Sequence, residues 1–245
     1  MKAALLAPDA ILLPANFDAY REYSRRFKAA VRAITPVIED RGIDEIYIDL
    51  SAETDDAHTL GTRLKHAVHA VTGLTCSIGI ARNKLLAKLC SDLDKPDGLT
   101  VLGDADLATR IWPLPAARIN GVGPKSAARL TLLGIDTIAD LAAADPTQLI
   151  DEFGSSYGRW LHDAAHGRDQ RPVVTAGEPR SVSRETTFER DLLLLESAIP
   201  LVRLTAALER KISPVLRGDP DTVGAQLTPM LVAPAGNAYL AAEWP

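Results

Sequence analysis

Spacing of apolar residues defines the helices first. From Asn16 to about Asp40, Tyr20, Tyr23, Phe27, Ala30, Val31 and Ile34 recur at intervals of three and four, and Asn16 or Asp18 is available as a cap. Arg21, Arg25, Arg26, Lys28 and Arg32 lie around the polar side and predict a solvated face. A second helix, capped by Asp55-Asp56, runs through Leu60, Leu64, Ala67, Val68 and Val71 to a stop at Gly73. A third spans Asn83 to Cys90. Beyond Gly103 the helices shorten. One opens from the loop at Ile119-Asn120-Gly121, another follows Gly134 with Asp136 or Thr137 as cap, and helices continue to about His166. Leu201, Leu204, Leu208, Ile212 and Val215 mark a last amphipathic helix over 192–216, interrupted by Pro200 and Pro214.

Short β-rich runs alternate with these helices. They are Leu74 to Ile80, Leu99 to Leu102 and Ser181 to Phe188, with a turn and a short strand between Pro8 and Pro14. Helix, strand, helix, strand, helix is an α+β order, with helices covering one face of a small sheet. The polar stretch from Gly167 to Pro179 reads as a linker. From Asp219 onward there is no Lys or Arg, prolines recur and periodicity is weak, so the tail reads as irregular. No internal repeat is found.

One strand stands apart. In Gly42-Ile43-Asp44-Glu45-Ile46-Tyr47-Ile48-Asp49-Leu50, three carboxylates interrupt a run of strand formers. Adjacent acids resist burial unless a cation compensates them, which points to a divalent metal at the end of a sheet. Strand alternation would set Asp44 and Glu45 on opposite sides. Both can face one metal only in or beside a hairpin turn, which Gly42 permits.

Composition adjusts this picture only slightly. The chain has 245 residues and room for two domains, with a net charge of −5, so no whole-chain basic field announces a nucleic-acid binder and local patches must do that work. Cys76 and Cys90 lack metal or redox spacing and are expected as buried, reduced thiols. No apolar run reaches membrane-spanning length, and Pro8 and Asp9 break the amino-terminal apolar stretch too early for a secretory signal. The expected location is cytoplasmic.

Two further stretches carry chemistry. Gly121-Val122-Gly123, then Lys125 and an Ala-rich helix, has the pattern of a helix-hairpin-helix. Glycines let a phosphate approach the backbone, amides at a helix start point at the anion, and Lys125 adds charge. Lys84 and Lys88 share a helix face and read as a solvated stripe. Lys95, fixed between Asp94 and Pro96 in a turn, suggests with the acids a metal-bridged triphosphate.

Taken together, these stretches resemble the Y-family translesion DNA polymerases, bacterial DNA polymerase IV type. Ile43-Asp44-Glu45-x-Tyr47-x-Asp49 is similar to the first palm signature. Ser77 to Lys88, followed by Asp94-Lys95-Pro96-Asp97-Gly98, is similar to the second. The glycine turn resembles the thumb hairpin, and Ser181 to Phe188 the first little-finger strand.

The resemblance implies a remnant of the fingers over 1–13, a palm over 14–102 and an all-helical thumb over 103–171. A linker over 172–180 and a partial α+β little finger with an irregular tail over 181–245 would follow. It also implies Mg²⁺-dependent, two-metal nucleotidyl transfer in lesion bypass during DNA repair, with primer-template DNA and dNTP as partners. Asp44 and Glu45 would be metal ligands, Glu45 catalytic at the primer-side metal, and Lys95 would contact the triphosphate. Gly121, Gly123 and Lys125 would hold duplex backbone, and Ser183 and Arg184 would face the template. The family's further Asp-bearing strand and most of its fingers are expected to lie outside this sequence, and no sliding-clamp peptide is seen. The rival expectation is a catalytically inactive fragment that only binds primer-template DNA.

Overall fold

A computed structural model describes residues 5–11 and 13–175, and the backbone of strands over 181–187, 227–230 and 237–243. The chain divides into two units at Ala176/Gly177.

In the first unit, α1 (Phe17–Arg32) is followed by an antiparallel hairpin of β1 (Ile38–Asp40) and β2 (Ile46–Ile48). Next come α2 (Ala57–Thr72), β3 (Ile78–Ile80), α3 (Lys84–Leu93) and β4 (Leu99–Val101), with β3 and β4 paired in parallel. Past the irregular turns over 104–118 stand α4 (Pro124–Leu132), α5 (Ile138–Ala143), α6 (Pro146–Phe153) and α7 (Ser155–Ala165). The α+β class expected from sequence holds.

Caps explain most helix boundaries. Asn16 Oδ1 accepts the Ala19 N–H, and Asp56 accepts those of His58 and Thr59. Gly73 ends α2 in the left-handed conformation. Thr137 and Asp140 form a reciprocal capping box at α5. The first helix stops at Arg32 rather than Asp40. Pro36 lacks the N–H a helix interior needs, and the β-branched Thr35, Val37 and Ile38 turn the chain extended, giving β1, a strand sequence reading missed. The strand expected before Pro14 is not formed by Ile11 and Leu13, which stand more than 80% exposed.

Two cores divide the unit. Val31, Ile38, Leu60, Leu64 and Val68 fill the space between α1, α2 and the hairpin. The apolar face of α3 (Leu85, Leu86, Leu89, Cys90) joins Leu130, Leu141 and Leu161 of the later helices in the larger one. Both cysteines are free, and burial pushes the Cys90 thiol up to about 11, consistent with an inert structural residue.

In the second unit, β5 (Ser181–Thr187), β6 (Leu227–Met230) and β7 (Asn237–Glu243) form an antiparallel sheet in the order β5-β7-β6. The tail is therefore not irregular where it is described. Asn237-Ala-Tyr-Leu-Ala-Ala-Glu pairs with β5 along seven residues, and Pro229 is tolerated because β6 is an edge strand of this sheet. The helix expected over 192–216 lies outside the described residues.

Candidate active-site groove and DNA-facing turn

Asp44 and Glu45 sit at the tip of the β1–β2 hairpin, just ahead of β2. The Arg41 N–H donates to the Glu45 carbonyl at 3.0 Å, and Gly42 takes a positive φ of 153° to let the chain turn. The strand itself is only Ile46–Ile48, so alternation does not separate the two acids. Lys28 of α1 holds the corner. Its Nζ lies 2.8 Å from both Asp40 carboxylate oxygens and also donates to the Gly42 carbonyl. Lys28 is 7% exposed, so it departs from the solvated face read around α1, whereas Arg21, Arg25 and Arg26 do stand in solvent. Its i+3 relation to the buried Val31 was the available signal.

The lysines of α3 are not a solvated stripe either. Lys84 Nζ donates to Glu39 Oε2 and, at 2.9 Å, to the Pro172 carbonyl, and it lies 5.2 Å from the Tyr47 ring centre. Lys88 Nζ donates to Glu45 Oε2 at 3.0 Å. Asp40, Glu39 and Glu45 are thus each compensated by a lysine ammonium, whereas Asp44 stays exposed. Burial pushes the Glu39 carboxyl up, but the Lys84 ammonium and the Val174 N–H outweigh it and hold the group below the usual carboxylate range. Asp49 lines the same groove, its carboxylate accepting the Ser51 N–H at 2.9 Å.

The start of α3 is anchored from the far end of the unit. Asn83 Oδ1 accepts the Leu86 N–H, and its Nδ2 donates to the Gly167 carbonyl at 2.8 Å. Asp169 accepts the Leu85 N–H at 3.1 Å and pairs with Arg171, whose guanidinium holds the Asp169 carboxyl below the usual range. Residues 167–174, read from sequence as linker, are here a strap across the helix start.

Lys95 projects from the turn between α3 and β4 and pairs with Asp92 at 2.5 Å. Lys65 of α2 fastens that turn by donating to the Cys76 and Asp97 carbonyls, each at 2.7 Å, and to the Asp97 carboxylate. Thr100 secures the Asp94 side chain. Neither Lys65 nor the strap could be found from local spacing, since their partners lie 11 to 135 residues away.

These features share one open groove of about 1150 Å³. Asp44, Glu45, Lys84, Lys88 and Lys95 line it, and both β2 and β3 form its walls. Among the described residues, no three of His, Cys, Asp and Glu come together to hold a metal ion. Asp44 is exposed and Glu45 is engaged by Lys88, so the pair alone does not fit a metal centre, which needs further oxygen donors.

The glycine turn lies elsewhere in the unit. Gly121 has a φ of 116°, and a Cβ placed there would meet the Trp160 ring at 2.6 Å. Gly123 precedes α4 with open space around its Cα and no side-chain cap. The N–H groups of Gly123, Lys125 and Ser126 have no acceptor among the described residues, and the Lys125 side chain is exposed. This is the arrangement a phosphate fits. Ser183 and Arg184 lie on β5 opposite Ala241 and Leu240, in the second unit.

Residues 1–92 match the impB/mucB/samB family, and residues 117–169 match the thumb domain of DNA polymerase-iota. DNA polymerase IV of Alkalilimnicola ehrlichii is 39% identical over 218 residues, covering 86% of this chain and 61% of that protein. DNA polymerase IV of Moorella thermoacetica is 36% identical over 258 residues, covering 97% and 64%. A Y-family DNA polymerase chimera of Dbh and Dpo4 superposes with a TM-score of 0.73 at 25% identity, covering 86% of this chain and 62% of that one. The chain belongs to the Y family of DNA polymerases. It spans less than two thirds of the length of these DNA polymerase IV relatives. An insertion ternary complex of the Y-family member Dbh has a TM-score of 0.67 at 25% identity. No described helix of the chain is long and apolar enough to cross a membrane.

Proposed function

We propose that this chain supplies the nucleotidyl-transfer groove and the DNA grip of a translesion DNA polymerase acting in DNA repair. The observation that carries the proposal is the single groove onto which the Asp44-Glu45 hairpin tip and the Lys95 turn both open. In this reading residues 14–102 are palm, 103–171 thumb and 181–245 little finger. Primer-template DNA and dNTP are the substrates, and the location is cytoplasmic, as for a DNA-replicating enzyme without a described membrane span.

Each residue has a role that its setting supports. Lys95, half exposed beside Asp92, exchanges that carboxylate for the triphosphate. Gly121 and Gly123 admit a duplex phosphate to the backbone, and Lys125 neutralises it. Ser183 and Arg184 contact the template from β5. Y-family polymerases use divalent metal, here Mg²⁺, which stabilises charge developing at the transferred phosphoryl group. Asp44 and Glu45 would bind it only together with donors the described residues do not supply, and Glu45 would first have to leave Lys88.

That last point favours a narrower statement about residues 1–245 on their own: they grip primer-template DNA without extending it. A missing ligand removes transition-state stabilisation of about 3 kcal/mol or more, roughly a hundredfold in rate. Primer extension by the purified chain with Mg²⁺ and four dNTPs is expected near background, and robust extension would refute the binding-only statement. Duplex affinity is expected to fall steeply with salt, and Lys125→Ala to lower the salt slope by about one, equally on unrelated sequences. Sequence-selective loss would argue against a backbone grip.

A further inference from the structure

The glycine turn is held from below by two aromatic residues of α7 whose positions do not repeat the turn's own pattern. Tyr157 and Trp160 stack with ring centres 5.2 Å apart and an interplanar angle of 16°. The Trp160 ring lies against the Gly121 Cα so closely that no Cβ fits between them. The Tyr157 hydroxyl donates to the Gly121 carbonyl at 2.9 Å. Phe153 continues the stack edge-on at 6.0 Å, and Arg129 of α4 lies over its ring. The same α4 begins just past the turn, so the aromatic stack contacts both the turn ahead of the helix, at Gly121, and its last turn, at Arg129.

The direction of the Gly121 carbonyl matters for charge. A glycine peptide with positive φ can rotate at small steric cost, and an outward rotation would present a carbonyl oxygen to an approaching phosphate. The Tyr157 hydroxyl holds that oxygen toward α7, and the Trp160 ring blocks the backbone from sinking. That carbonyl is thereby kept off the side from which the free N–H groups are offered.

We propose that Tyr157 and Trp160 are positioning residues for duplex binding, fixing the Gly121–Gly123 turn so that its N–H groups and Lys125 meet a phosphate together. The inference rests on the DNA grip proposed above.

The test is duplex binding by the 245-residue chain, read by fluorescence anisotropy across a salt series, beside thermal melting of the same samples. Tyr157→Phe keeps the stack and removes only the hydroxyl. It is expected to weaken affinity about three- to tenfold, with the salt slope unchanged because a neutral donor array releases no counterions. Lys125→Ala, in contrast, lowers the slope. Trp160→Leu removes the floor and is expected to weaken affinity at least as much, again at constant slope. Wild-type affinity for Tyr157→Phe, while Lys125→Ala still weakens binding, overturns the positioning role and leaves the grip intact. A loss that tracks a lowered melting temperature and recovers on cooling assigns the pair a merely structural role and also overturns it. An unmodified chain that does not bind duplex overturns the grip and this inference with it.

Discussion

Lys84 and Glu39 are each about 10% exposed at the side chain, and their pairing is what permits an acid on the inner face of the hairpin. Breaking such a pair from one side strands a buried charge, which costs about 3–5 kcal/mol, whereas replacing both partners with apolar groups is close to neutral. Lys84→Met is therefore expected to lower the urea midpoint sharply, and Glu39→Leu combined with Lys84→Met to restore most of it. The pH dependence follows from the same group. Glu39, Asp40 and Asp169 are held below the usual carboxylate range, so the folded chain binds fewer protons than the unfolded one near their titration. Their contribution is complete above the unfolded value of about 4 and is lost as pH falls through the folded values. The midpoint should stay level from pH 7 to 5 and drop below about 4. In Lys84→Met, Glu39 keeps only Arg41, 3.5 Å away, and the Val174 N–H against the cost of burial, so its carboxyl is expected to rise and the deficit to shrink on acidification. A deficit constant down to pH 4 would contradict the pairing.

At the scale of elements, α3 organises the unit because its two faces answer to different partners. Leu85, Leu86, Leu89 and Cys90 enter the larger core, while Lys84 and Lys88 reach the hairpin. β3 packs against the helix so tightly that a Cβ at Gly79 would lie 2.2 Å from the Ala87 carbonyl oxygen and 2.3 Å from the Ser91 nitrogen. Backbone on both sides leaves no room to yield. Gly79→Ala is expected to cost about 1–3 kcal/mol of stability, measured by denaturant unfolding. A neutral outcome would mean that α3 is free to slide. Much of this element was legible in the sequence: its extent from Asn83 to Cys90 and the turn at Asp94 to Pro96 that follows it. The destination of its lysines was not, because a charge on a helix face carries no mark of what faces it. Glu39 gave no signal at all while its strand was read as helix. Asp169 was unreadable for a related reason, lying in a polar stretch with Pro and Gly that resembles any tether. The aromatic pair on α7 was hidden because Tyr157 and Trp160 fit ordinary helical spacing.

For the whole molecule, a net charge of −5 coexists with an uncapped helix start beside the exposed Lys125, so the proposed anion grip depends on the local arrangement of donors and not on the total. Local motifs marked the hairpin tip, the Lys95 turn and the glycine turn, whereas the groove itself is lined by residues as distant in the chain as Tyr20 and Val173 and could not be read from any one stretch. The sheet of the second unit escaped because β5 and β7 are joined only by a long-range register, from Ser181 opposite Glu243 to Thr187 opposite Asn237.

The walls of the groove carry a different consequence. Among the described strands, β2 pairs only with β1 and β3 only with β4, so each turns one unpaired backbone edge toward the same opening. Hydrogen-bonding groups without partners recruit strands from any chain that offers one, and three-residue edges limit but do not abolish that tendency. Purified protein is expected to self-associate as its concentration rises, visible as growing light scattering at micromolar levels. A short, soluble peptide of alternating apolar residues added in excess should suppress it. Scattering that ignores both concentration and peptide would mean the edges are sealed. In a cell the same exposed ladder is what chaperones and proteases inspect, so the lifetime of this polypeptide depends on how soon something occupies the gap between its two sheets.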